Sequence, residues 1–267
     1  MWPFRRNRPP SAAEVARRLV VLKYVAGYAL TTPPREALAQ AAQGWDETER
    51  ARFAAKAQAL RDEYWQRVRE LGLWEALSPQ ERELAGTTML TMTPQQRLAA
   101  AWRVEAAHVL MWALGLLDNL LPYDQAANPD LLKRVPGRDV AAFVKSARLR
   151  PAKTIAAERD VAELWHWRSR TRELIESGRP LEPDENMRAA GIRSFDDIVR
   201  LTARHCREEG RIATVDEDLA ARGKAYRDLT ADEWAEVRSV AIERHFALNW
   251  LCGYAPRNRW DETPTDT

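Results

Sequence analysis

A chain of 267 residues and 30.5 kDa has room for a sizeable core, and 45% hydrophobic with 30% charged residues is the balance of an ordinary globular protein. Its 41 basic and 39 acidic residues leave a formal charge of +2, which gives no overall electrostatic footprint for nucleic acid. Cys206 and Cys252 lack the spacing of a metal knuckle or redox pair, and the start MWPFRRNRPP has no apolar segment behind it, so a reducing cytoplasm is expected.

Residues 1–10 read as a short flexible basic lead, and residues 11–267 as one helical domain. Ser11 caps a first helix to about Leu30, with Val15, Leu19, Leu22, Ala26 and Leu30 at helical spacing. A short helix from Arg35 to Gln43 follows, then a long one from Asp46 to about Leu71 whose many charges form a solvated face. Ser78 and Glu81 make a capping box for a helix to Ala85, with Gly86 at its end.

The stretch from Thr93 to Pro122 is expected to be the central helix, spanning about 93–121. Thr93 caps it, Pro94 takes its first position, Gln96 completes a capping box and Pro122 stops it. Its apolar side chains, among them Trp102, Val104, Leu110, Met111, Trp112 and Leu117, go all the way round rather than forming a stripe, the pattern of a helix wrapped by others. The uninterrupted apolar part, Ala106 to Leu117, is too short to span a bilayer, so no membrane partner is expected.

Beyond it, residues 123–130 read as a loop, and modest helices fill Pro129 to Arg134 and Asp139 to Leu149. A long helix runs from Pro151 to Ser177, and Ser194 with Asp197 opens another from Phe195 to Glu209. Residues 211–227 have no clear period and leave a small hairpin or plain turns open. Thr230 with Glu233 opens a last helix to Cys252. No stretch reads as a firm strand, so the fold class is all-α, with the helices of Trp165 and Trp250 packed on the central one.

Glu105 is the residue of the central helix that most needs explaining. An unpaired carboxylate among apolar side chains costs several kcal/mol or takes up a proton. Arg168 lies in the apolar arc of its own helix beside Ala157, Val161 and Ile175, and needs a carboxylate in turn. The two are expected to meet, or Glu243 to take one of the two places. His166 shares a polar arc with Arg159, Glu163, Arg170 and Glu173 and is expected at the wet edge. His245 falls on the apolar stripe of the last helix, as a hydrogen-bonded core histidine or a catalytic base. Asn249, inside FALNWLC, is expected to tie a neighbouring loop or the tail to the core.

Three readings follow. In the first, the chain is a non-enzymatic binding or interaction protein and these polar groups are structural. In the second, Glu105, Arg168, Glu243 and His245 converge on a catalytic or anion-binding cleft, with Arg168, Asn249, Trp165 and Trp250 as ligand contacts. In the third, Glu105 with His108 and Glu163 with His166, both Glu-x-x-His, belong to a di-metal carboxylate bundle. No glycine-rich phosphate loop, Gly-x-Ser-x-Gly elbow or His-Glu-x-x-His motif is present, and no cofactor is implied. A protein partner or a small ligand is compatible with the sequence; nucleic acid is not expected.

The blocks WRVEAAHVLMWALG, ERDVAELWHWRSRT, DEDLAARGKAYRDL, ERHFALNWLCG and WDETPTDT together resemble the bacterial domain-of-unknown-function family DUF4272, from about Ser11 to the C-terminus and most strongly in the last two. The resemblance implies no activity or catalytic residues. It implies that the tail belongs to the folded unit, with Trp260 packed against it.

Overall fold

The computed structural model describes residues 8–265, and the chain within them is mostly helical. The α-helices are α1 (Ala12–Thr31), α2 (Arg35–Ala41), α3 (Glu47–Glu70), α4 (Pro79–Ala85), α5 (Pro94–Ala113), α6 (Val140–Ser146), α7 (Ala152–Glu176), α8 (Glu185–Ala189), α9 (Phe195–Glu209) and α10 (Ala231–Leu251). Between α9 and α10 lies a three-stranded antiparallel sheet, β1 (Thr214–Val215), β2 (Asp218–Ala221) and β3 (Lys224–Ala225), in the order β1-β2-β3. None of the described helices is long and apolar enough to cross a membrane. The flexible lead expected at residues 1–10 lies, for residues 1–7, outside the described residues; Arg8 pairs with Glu14 at 3.2 Å and Pro10 is buried.

The chain forms two compact units. Among the described residues, the first takes those up to Leu120, Ala127–Ala152 and Asn249–Pro264; the second takes Leu121–Ala126, Lys153–Leu248 and Thr265.

The first unit is built on α1 and α5. Val15, Leu19, Val20, Val21 and Leu22 of α1 are fully buried, as are Val109, Leu110 and Met111 of α5. Every residue from Val104 to Ala113 is buried, so the lower half of α5 is wrapped as its all-round apolar pattern requires. The upper half is not: Leu98 is 59% exposed. Its neighbour within this unit is α1, whose central place the sequence had not singled out.

The helix also stops earlier than Pro122. Gly115, at φ 74°, turns the chain into the left-handed region, and the Leu116 N–H donates back to the Met111 carbonyl at 2.9 Å. That closure ends the helix within the apolar run, because a glycine there reverses the chain at no steric cost.

The second unit packs α9 against the small sheet. Each strand pair is joined by a two-residue turn, Asp216-Glu217 and Arg222-Gly223, in which both residues have positive φ. That is the turn whose twist matches antiparallel strands. The region left open as a hairpin or turns is therefore a double hairpin.

Candidate functional site

In the first unit, Glu105 is 1% exposed on α5 and its Oε1 accepts the Ala127 N–H at 2.5 Å. His108, one turn on, is buried as well. Asn249 acts as its sequence context required: its Nδ2 donates to the Pro264 carbonyl at 2.8 Å, holding the tail. Trp250 donates its indole N–H to the Asn258 carbonyl at 3.0 Å and meets Trp260 edge to face, with centroids 5.2 Å apart. Trp260 is 4% exposed, so the tail is part of the folded unit; residues 266 and 267 lie outside the described ones.

This unit also holds an ion pair that sequence reasoning missed. Arg18 of α1 donates from Nη1 to both carboxylate oxygens of Glu81, at 2.8 and 2.7 Å, and its guanidinium lies 5.1 Å from the Trp260 ring centre. Glu81 completes the α4 capping box at the same time, accepting the Ser78 N–H at 2.8 Å. The capping role was legible; its second use as a buried counter-ion depends on which helix lies beside it.

In the second unit, Arg168 is buried, as its place on the apolar arc required, but its carboxylate is Asp218 rather than Glu105 or Glu243. Nε and Nη2 each donate to one Asp218 oxygen at 2.7 Å, a planar two-bond pair with both side chains essentially inaccessible. The Asp218 carboxylate also accepts the backbone N–H of Leu219 at 2.8 Å and of Arg227 at 3.0 Å. The Tyr226 ring lies 4.7 Å from the Arg168 guanidinium, and its hydroxyl meets Ser169 Oγ at 2.5 Å. Burial pushes that phenol up to about 12. The whole arrangement locks the double hairpin onto α7.

His166 is buried rather than at the wet edge, and its Nδ1 lies 3.0 Å from Nδ1 of the fully buried His245. One ring must therefore donate and the other accept, so the pair works with at least one neutral imidazole. Burial drives His245 down to about 3, with the His166 ring and the Arg159 guanidinium adding to the shift. Next to it on α10, the buried Arg244 donates to the carbonyls of Leu121 at 2.5 Å, Pro122 at 3.1 Å and Gln125 at 2.8 Å. Arg244 thereby pins the 121–126 segment, where Tyr123 stacks on Trp165 with centroids 5.8 Å apart. Tyr123 also donates to Glu158 at 3.1 Å, and burial raises that carboxyl.

Of the proposed site residues, Glu105, His108, Asn249 and Trp250 belong to the first unit, and Glu163, Trp165, His166, Arg168, Glu243 and His245 to the second. Glu163 is engaged by Arg159, at 2.7 and 3.0 Å. Among the described residues no group of three or more His, Cys, Asp or Glu side chains is placed to hold a metal ion, so the two Glu-x-x-His motifs assemble no metal centre there.

A family model for the domain of unknown function DUF4272 matches residues 4–189. The chain belongs to the DUF4272 family. The matched span of DUF4272 includes WRVEAAHVLMWALG and ERDVAELWHWRSRT and the whole of α5 and α7, and also residues 4–10, which the resemblance read from sequence left out. It excludes ERHFALNWLCG and WDETPTDT, the blocks on which that resemblance leaned most, along with the double hairpin. Asp218, His245 and Asn249 therefore lie outside the matched DUF4272 region, while Glu105 and Arg168 lie inside it. No curated protein and no solved structure matches the chain.

Proposed function

We propose that this protein is a non-enzymatic binding or interaction protein of the cytoplasm, and that Arg168 and the polar groups around it serve the fold. One observation carries the reading: both bonds of the Arg168 fork on Asp218 are made inside the second unit, with side-chain exposures of 2% and 0%. A guanidinium meant for an anionic ligand keeps its fork accessible. This one is spent on a carboxylate whose other acceptor sites take two backbone N–H groups. The His166–His245 contact and the Asn249–Pro264 bond are internal in the same way, each joining two parts of the chain.

The test replaces the pair by apolar residues, Arg168→Met with Asp218→Leu. Buried ion pairs exchanged together for side chains of similar volume are often tolerated. The wild-type and doubly substituted chains are screened in parallel on hydrolase, transferase and oxidoreductase model substrates, with circular dichroism and melting recorded for each. The expected result is a folded double variant and no turnover by either chain. Turnover by the wild type would overturn the non-enzymatic reading, and its loss in the folded double variant would restore the catalytic role of Arg168.

A further inference from the structure

A second feature, in the first unit and independent of the Arg168 pair, points to a ligand. The segment Lys133–Asp139 (KRVPGRD) leads from the turn at Pro129–Arg134 to the start of α6 and folds over Lys23 of α1 and Arg67 of α3. Together these form a cleft of about 610 Å³ lined by Lys23, Arg67, Lys133, Arg134, Arg138 and Asp139, with the backbone of 135–137 between them. The cleft is broad and open to solvent, with room for a small molecule lying along its charged side chains.

Five cations face one carboxylate there, and the carboxylate is occupied: Asp139 Oδ1 accepts the Ala142 N–H at 3.1 Å as the cap of α6. Two of the cations are partly neutralised. Lys133 meets Asp130 at 2.7 Å, and Arg67 meets Glu70 at 3.3 Å. Three are not. Lys23 donates to the Val135 carbonyl at 2.5 Å and Arg134 to the Leu116 carbonyl at 2.8 Å, and neither has a carboxylate partner among the described residues. Arg138 has no hydrogen bond or ion pair among them.

Elsewhere in the chain Arg8, Arg18, Arg159, Arg168, Arg172 and Arg259 each hold a carboxylate, while Arg97 and Arg150 donate to backbone carbonyls as Arg134 does; what distinguishes the cleft is that several such cations converge there. Lys23 is also held in place. A Cβ on Gly137 would come within 3.1 Å of its Nζ, so any side chain there would crowd the ammonium. Partial burial there lowers the ammonium's affinity for its proton, and a bound anion would reverse that.

We propose that this cleft binds a small phosphate-bearing molecule carrying a di- or triphosphate group, whose three or so negative charges would match Lys23, Arg134 and Arg138. Arginine forks meet phosphate oxygens in pairs, and a lysine beside them supplies a point charge, the combination that favours phosphate over a single carboxylate. Failure of this site would leave the reading of the Arg168 pair untouched, because the two share no residue.

The experiment is calorimetric titration of the full chain with pyrophosphate, with sulfate and a mixed-sequence RNA as comparators, at low and at physiological salt. Arg138→Glu is the main variant, since that side chain supports nothing in the fold; Lys145→Glu, an exposed α6 cation outside the lining, is its charge-matched control. Pyrophosphate is expected to bind the wild type and Lys145→Glu alike, to bind Arg138→Glu roughly tenfold or more weakly, and to bind well ahead of sulfate. Three outcomes would overturn the proposal: no pyrophosphate binding, equal losses in Arg138→Glu and Lys145→Glu, or RNA binding tightly through Arg138 where pyrophosphate does not. The last would make the cleft a nucleic-acid surface instead.

Discussion

The buried histidine pair gives the chain a definite acid response. His245 titrates near 6.5 when the chain is unfolded and near 3 when it is folded, held down by burial and by His166 and Arg159. Between those values the unfolded state binds the extra proton and the folded state does not. Stability is therefore complete above pH 6.5 and falls as the pH is lowered, until about pH 3. One such group costs about 2 kcal/mol by pH 5 and approaches about 5 kcal/mol in all. The interval from pH 7.5 to 5.0 is the useful one, since ordinary carboxylates remain ionised there. Urea unfolding followed by tryptophan fluorescence at several pH values in that interval measures it, with His245→Gln as comparator. The wild type should lose about 2 kcal/mol across the interval. His245→Gln should start less stable and lose distinctly less. Wild-type stability that is flat down to pH 5.0, or parallel losses in both chains, would refute the argument.

The Arg168–Asp218 pair should be costly to break from either side: Arg168→Ala or Asp218→Ala is expected to lose about 3 to 5 kcal/mol, because each strands a buried charge. A double-mutant cycle by urea unfolding checks it, and additive losses would mean that the two do not interact. Asn249→Leu removes the N–H held by the Pro264 carbonyl and should cost about 1 to 3 kcal/mol. Faster proteolysis or amide exchange in residues 256–265 would accompany that loss, and an unchanged tail would count against it. Gly115→Ala tests the end of α5. Nothing lies within 4 Å of the added Cβ, so the cost is that of the positive φ alone, about 1 kcal/mol by thermal melting.

Helix starts were the most legible part of the sequence because their determinants are local. Ser11 with Glu14, Asp46 with Glu49, Ser78 with Glu81, Thr93 with Gln96 and Ser194 with Asp197 each form the reciprocal cap that their spacing announces. Helix ends were harder where composition and conformation disagree. Leu114, Leu116 and Leu117 continue the apolar pattern of α5, yet Gly115 has already turned the chain, and all three leucines are only partly buried. Ile175 fails in the same way: it lies on the inward arc of α7 as drawn from sequence, and its position near the helix end leaves it 39% exposed.

That Arg168 would be buried on a carboxylate follows from the arc it occupies, but which carboxylate is a matter of tertiary contact. Asp218 sits fifty positions away, in a stretch whose turn signals are disguised. Asp216-Glu217 and Arg222-Gly223 hold the conformation that Asn-Gly would have advertised, so neither hairpin showed in the residue pattern. The one available cue was Asp218 itself, an acid directly before Leu219-Ala220-Ala221 in a chain with an unclaimed inward arginine. Buried charges must be matched, so the search for a partner had to extend beyond the helices. That rule does not reach Lys23, Arg134 and Arg138, of which the first is half-buried and the other two exposed. Exposed cations are solvated and need no partner, so what sets these three apart is their convergence on one cleft whose single carboxylate, Asp139, is already engaged as a helix cap.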